Sequence, residues 1–225
     1  MAAIILIKKS RIAHSAMKKP YVIGITGGSG SGKTTFLSAL EQEFGKEQIC
    51  ILSADHYYRP REEQKADDQG VLNFDLPSSI NAEELERDVR QLIAGQDIER
   101  EEYTFNNPLV QPKMLKFKAA PILILEGIFV FHYPQVADLI DLKVFLYTSE
   151  STALSRRIKR DRIERNYPLE DVLYRYEHHV MPTYRQYIAP IKEQADLLIN
   201  NNHKFDAGLQ VFKGFINNYL QEVED

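Results

Sequence analysis

The chain has 225 residues, 44% hydrophobic and 27% charged, which is enough apolar material for one substantial core. Its formal net charge of −4 offers no basic excess for nucleic acid or an anionic membrane surface, and no run approaches the ~18 apolar residues of a membrane span. The single cysteine, Cys50, excludes an intrachain disulfide and suits a reducing cytoplasm.

Residues 1–20 read as an extension outside the fold. An apolar run at 2–7 precedes Lys8, Lys9 and Arg11, the reverse of a signal peptide, and Met17 stands just before the first strand, so the upstream segment can be a start-site artefact or a docked peptide. Residues 21–26 predict a short buried strand, with Val22, Ile23 and Ile25 between glycines. A glycine-rich turn follows, then a helix over 33–44 and a second apolar strand over 48–53. Residues 59–70 are polar and charged and predict a mobile loop, serving substrate entry or simply solvated. Leu85, Val89, Leu92 and Ile93 recur at helical spacing over 81–94, and Gly95 supplies the stop. Residues 98–105 and 113–118 predict a hairpin, with Asn106, Asn107 and Pro108 in its connection. Strands over 121–125, 141–147 and 195–200 alternate with helices over 152–165, 169–181 and 205–223. This alternation predicts an α/β fold: a parallel sheet with helices on both faces, carrying a small β-hairpin insert and a helical lid.

The turn after the first strand reads Gly27-Gly28-Ser29-Gly30-Ser31-Gly32-Lys33-Thr34, which fits the P-loop pattern in its required strand–turn–helix context. Glycines let successive N–H groups turn inward on phosphate oxygens, and the following helix points its positive end at the same anion. Lys33 is expected to reach the β- and γ-phosphates, the Thr34 hydroxyl to ligate Mg²⁺, and Thr35 to add a phosphate contact. No Asn-Lys-x-Asp guanine motif is present. The apolar strand 122–125 ends in Glu126, at a strand end where ligands of open α/β sheets bind. Glu126 can hold Mg²⁺ directly or through water, or make only local hydrogen bonds. Asp55, just past the second strand, can accept a proton from an attacking hydroxyl or serve as a turn or capping aspartate. Arg156, Arg157, Arg160, Arg162 and Arg165 cluster in one helical stretch, either a solvated face or a lid closing over a transferring phosphoryl group. His178 and His179 are helical neighbours about 100° apart, so a shared metal site is not expected.

An ordered set of motifs, Gly24 to Thr35, Leu52 to Arg59, Asn73-Phe74-Asp75-Leu76-Pro77, Glu126-Gly127-Ile128, Ser155 to Asp161 and the stretch from Pro190 to Asp196, resembles the uridine kinase family over residues 21 to about 200. Phosphoribulokinase and pantothenate kinase share this core. The resemblance implies a P-loop kinase domain over 21–225, an acceptor-binding insert at about 72–118 and a lid at about 152–168. It implies ATP or GTP as donor, Mg²⁺, and transfer to the 5′-hydroxyl of uridine or cytidine. Asp55 becomes the base, Glu126 lies near the metal, Arg157 lies nearer the acceptor, and Arg160 and Arg165 lie nearer the phosphates. A homo-oligomer is also implied, with a small nucleoside as partner.

The acceptor side departs from the family. Asn81 stands where the family has the aspartate that binds the ribose diol, and an amide offers one carbonyl acceptor where a carboxylate offers two oxygens. Pro108 and Val110 occupy the spacings of a histidine and an arginine that meet the base, and Tyr167 and Arg175 replace a further arginine and glutamine. Tyr58, Tyr103 and Phe105 remain as stacking walls or core aromatics. These changes predict weakened recognition of uridine and cytidine. They leave two alternatives: a kinase of another nucleoside or small alcohol, and a non-catalytic ATP-binding regulator. Retention of Lys33, Thr34, Asp55 and Glu126 together argues against the second.

Overall fold

The computed structural model of the chain describes residues 19–104, 110–163 and 167–224. Its strands are β1 (Tyr21–Thr26), β2 (Ile49–Ser53), β3 (Ile98–Glu101), β4 (Met114–Phe117), β5 (Ile122–Glu126), β6 (Leu142–Tyr147) and β7 (Leu197–Asn200). Five of them form one parallel sheet in the order β2-β5-β1-β6-β7, and β3 and β4 pair as an antiparallel hairpin. The helices are α1 (Lys33–Glu41), α2 (Ala82–Ile93), α3 (Pro134–Ala137), α4 (Glu150–Ile163), α5 (Leu169–Arg175) and α6 (Asp206–Glu224).

Side chains alternate across a strand, so each central strand feeds two cores. Val22, Leu123, Leu125 and Phe145 pack on one face against Leu85, Val89 and Leu92 of α2. Ile23, Ile25, Ile124 and Leu146 pack on the other against Phe36 and Leu40 of α1 and Phe212 and Ile216 of α6. Burial on both faces explains why these strands read as unbroken apolar runs rather than as alternating ones.

The register aligns Ile25 with Glu126 and Glu126 with Ser53. The phosphate loop after β1, the Glu126 strand end and the Asp55 segment after β2 therefore emerge side by side. A buried polar cluster fixes that segment from behind. The Tyr57 hydroxyl donates to Asp88 at 2.9 Å, and the Arg100 guanidinium lies 3.6 Å over the Tyr57 ring. Arg100 also donates to Asp88 at 3.0 Å and to the His56 carbonyl at 2.9 Å, tying the hairpin to the turn that carries Asp55.

Three expectations are corrected in detail. The first hairpin strand ends at Glu101, earlier than the pattern predicts, although the Glu102 N–H still pairs with the Lys113 carbonyl at 2.8 Å. The expected helix over 169–181 leaves α geometry after Arg175. It continues through π turns at Tyr176–Val180 and Tyr184–Ile188, with an α turn, Met181–Thr183, between them. Each π turn ends two residues before a proline, Pro182 or Pro190. A proline ring clashes with the carbonyl four residues back and offers no N–H, and a widened turn accommodates both. The polar loop over 59–70 is stitched down rather than free: Ala66 and Leu72 form a bridge, and Asp67 accepts from the N–H groups of Gln69 and Val71.

Candidate active site

The carboxyl ends of β1, β2 and β5 open into a cavity of about 680 Å³, also lined by α4, by Tyr167 and by Arg175, the last residue of α5. Gly30 and Gly32 hold φ values of 79° and 92°, in the left-handed region that glycine tolerates. A Cβ at Gly32 would stand 2.3 Å from the Asn201 amide nitrogen, and one at Gly30 would stand 2.5 Å from the Ala153 carbonyl oxygen. These close approaches let the loop wrap inward. Gly32 caps α1 without a side-chain hydrogen bond, so the first-turn N–H groups stay available to an anion.

Lys33 is buried, and its ammonium donates to the Gly27 carbonyl at 2.9 Å and the Gly28 carbonyl at 3.4 Å. Glu126 lies 3.9 Å from it. Burial lowers the Lys33 pKa, against the pull of Glu126 and Asp55. Burial and the nearby Asp55 push Glu126 up to about 7, opposed by Lys33 and by the Ser53 hydroxyl, which donates to it at 2.8 Å. The same Ser53 oxygen accepts from the Asp55 N–H at 3.2 Å and so orients the strand-end turn. Thr34 and Thr35 are exposed on the cavity wall. Thr34, Asp55 and Glu126 give an all-oxygen donor set, which suits a hard divalent cation.

α4 brings its arginines over the phosphate loop. Arg157 donates to the Ser29 hydroxyl at 2.9 Å and lies 3.9 Å from Asp75. It therefore reaches from the phosphate loop to the Asn73-Phe74-Asp75 segment, where the resemblance places it nearer the acceptor. Asp161, almost fully buried, pairs with Arg157 at 3.1 Å and accepts from Arg160 at 2.9 Å. Farther along the cavity the Tyr58 ring stacks on Tyr103 with centroids 4.9 Å apart, and Phe74 meets Tyr58 edge-on. Desolvation, reinforced by Asp55 and Asp75, raises the Tyr58 pKa far enough to keep the phenol neutral.

Of the expected site residues, the P-loop glycines 30 and 32, Ser29, Lys33, Thr34, Thr35, Asp55, Tyr58, Tyr103, Glu126, Arg157 and Arg160 line this one cavity. Asn81 does not. It caps α2, its side-chain oxygen accepting from the Glu84 N–H at 3.2 Å. Phe105, Pro108 and Arg165 lie outside the described residues. Val110 is exposed.

Arg156 of the arginine cluster, and Tyr167 and Arg175 at the altered acceptor positions, line the cavity as well, together with Arg61, Phe74 and Asp75, to which the sequence alone assigns no role. Asp75 sits within the quoted Asn73-Phe74-Asp75 motif, and Arg156 within the arginine cluster, so both carried a signal. Arg61, in a polar loop, carried none. Asn201 is buried behind the phosphate loop and donates to the Ser31 carbonyl at 2.8 Å; its place just past the last parallel strand was its signal.

A parallel sheet with this strand order, a phosphate loop and converging carboxylates and arginines is the framework of an ATP-dependent P-loop kinase. The family model described as "Phosphoribulokinase / Uridine kinase family" matches residues 22–207. Uridine-cytidine kinase B of Dictyostelium discoideum is 32% identical over 217 residues, covering 96% of this chain and 88% of that protein. A uridine kinase of Lactiplantibacillus plantarum is 34% identical over 182 residues, covering 81% and 87%. Among solved structures, a possible uridine kinase from Bacillus stearothermophilus superposes with a TM-score of 0.57 at 17% identity, covering 80% of this chain and 89% of that one. Phosphoribulokinase from Rhodobacter spheroides gives 0.57 at 20% identity, covering 81% and 70%. The chain belongs to the phosphoribulokinase/uridine kinase family.

Proposed function

We propose that this protein transfers the γ-phosphoryl group of ATP to the 5′-hydroxyl of uridine or cytidine. Support comes from relatives bearing that activity in their names across most of the chain, and they favour neither alternative acceptors nor a non-catalytic regulator. The observation that carries the reading is that one cavity joins a phosphate loop to an aromatic wall, with Asp55 between them.

In this reading the 21–225 segment is the kinase unit, with the acceptor insert at about 72–118 and the lid at about 152–168. Lys33 exchanges the Gly27 carbonyl for phosphate oxygens when ATP binds. Asp55 accepts the proton of the 5′-hydroxyl as its oxygen bonds to the γ-phosphorus, and the bond from that phosphorus to the bridging β-oxygen breaks to release ADP. Phosphoryl transfer passes through a loose transition state, so positioning and charge neutralisation matter more than a strong base. Arg157 and Arg160, held by Asp161, present N–H donors to the oxygens that carry the developing charge. Arg165, on the same segment, is assigned the same task. Mg²⁺, when held by Thr34, Glu126 and the phosphates, neutralises phosphate charge and fixes their geometry. Tyr58, Tyr103 and Phe74 offer faces against which a pyrimidine can pack.

Acceptor-dependent ADP release tests the proposal. Uridine and cytidine should each stimulate release from ATP well above the acceptor-free rate. Equal rates with and without nucleoside would refute it.

A further inference from the structure

The loop that builds the acceptor wall is tied to the helix following α4 by a cluster that touches neither substrate end of the cavity. Asp67 is its centre. One carboxylate oxygen accepts from the Gln69 and Val71 N–H groups at 2.9 and 2.8 Å. The other meets the Tyr174 hydroxyl at 2.8 Å and His179 Nε2 at 2.7 Å. His179 is 1% exposed, and its Nδ1 has no hydrogen-bond partner among the described residues. One turn along, Arg175 donates to the Leu72 carbonyl at 2.9 Å. Desolvation raises the Asp67 pKa, but the bonds from His179, Tyr174, Val71 and Gln69 together hold it well below the usual carboxylate range. The carboxylate is therefore charged at neutral pH, and hydrogen bonds to a charged group are the strong kind.

The tie leads directly to the cavity. The Asn73 N–H donates to the Lys65 carbonyl at 2.7 Å, and the Asn73 side chain accepts from the Asp75 N–H at 2.9 Å. Phe74 and Asp75 then form the acceptor wall, one against Tyr58 and the other 3.9 Å from Arg157. We infer that Asp67, Tyr174 and His179 form a positioning latch: they fix Phe74, Asp75 and Arg175 at the acceptor end and so set acceptor affinity without contacting the acceptor. The identity of that acceptor rests on the uridine/cytidine reading; the latch itself rests on the contacts above.

Two variants test it. Asp67→Asn keeps an oxygen for the loop N–H groups but replaces the oxygen shared by Tyr174 and His179 with a donor. Tyr174→Phe removes one hydroxyl and carries the test should Asp67→Asn fail to fold. The latch predicts a rise in uridine KM of roughly tenfold for Asp67→Asn, which disrupts the contacts of both Tyr174 and His179 with one carboxylate oxygen. KM for ATP and kcat should stay within about twofold, a split that separates positioning from general damage. Amide exchange over residues 65–75 should quicken in both variants without any ligand. Unchanged uridine KM, or a parallel rise in both KM values that tracks a falling Tm, would overturn the latch. Wild-type protein inert on uridine would refute the substrate reading alone. The exchange measurement would then decide the latch, and wild-type exchange rates in both variants would sink it.

Discussion

The Lys33 ammonium stops 3.9 Å short of the Glu126 carboxylate and spends its hydrogen bond on the Gly27 carbonyl, 2.9 Å away. In a buried site this is a cation held back by the loop it serves. Burial disfavours both charges, and the carbonyl occupies the lysine in a position from which it can turn to phosphate. Lys33→Ala should therefore leave the protein folded and cut turnover by at least ~10²-fold, the scale of losing one preorganised donor. Circular dichroism and steady-state kinetics check both halves. A folded variant with near-normal kcat contradicts the assignment.

Glu126 offers a pH test. Its pKa in the free protein is pushed up to about 7 by burial and by Asp55. Below that value the folded, nucleotide-free protein holds a proton there. A carboxylate that binds a cation must lose its proton. Binding of Mg·ATP should therefore release a proton at pH 6–7, and affinity should rise with pH through that window and level off above it. Titration calorimetry in buffers of different ionisation enthalpy reads the proton. In Glu126→Gln the release should vanish and the affinity fall. Proton uptake by the wild type would reverse the assigned sign.

Asp55→Asn keeps the shape of the side chain and removes its ability to take a proton. It should lower kcat by ~10²–10⁴-fold, with a much smaller effect on ATP binding. Collapse of ATP affinity with kcat preserved at saturation would make Asp55 a metal holder or a structural residue.

Asp161 carries a stability prediction. It neutralises Arg157, which is buried, and Arg160, which is one-third exposed. Asp161→Asn takes from a buried guanidinium its nearer counter-charge and leaves it Asp75 at 3.9 Å, and removing one partner of such a pair costs about 3 kcal/mol. Urea denaturation should show that loss, and kcat should fall with it because the two arginines lose their aim. A variant as stable as the wild type would mean that the pair contributes nothing.

The phosphate loop, Asp55 and Glu126 were legible because short motifs and strand ends encode them locally. The register of β2, β5 and β1 then brings them together without further instruction. The Asp67 latch was not legible. Its partners lie 107 and 112 positions away, and nothing local distinguishes Asp67 from the charged residues around it. The two π turns were legible only in part: Pro182 and Pro190 announce a disturbance, not its form. Asn81 shows the opposite limit. Its position suggested a ligand to ribose, while its immediate task is a helix cap. The expected weakening of pyrimidine recognition leaned on Asn81, Pro108 and Val110 and left Arg61 out, although Arg61 lines the cavity beside Arg175 and brings it a further set of N–H donors.

The cap gives a simple check. Asn81→Ala should cost about 1 kcal/mol of stability and Asn81→Asp very little, since aspartate caps as well as asparagine does. Denaturant melts of the two variants should differ accordingly. Equal losses would mean that the side-chain bond to the Glu84 N–H does not hold the helix start.

The central claim is that one cavity carries a phosphoryl group from ATP to a nucleoside 5′-hydroxyl. Transfer of label from [γ-³²P]ATP, followed in parallel with uridine, cytidine and 5′-deoxyuridine, tests it most directly. The account predicts labelled 5′-monophosphates from uridine and cytidine, and none from 5′-deoxyuridine. Label confined to ATP and free phosphate with all three nucleosides would contradict it.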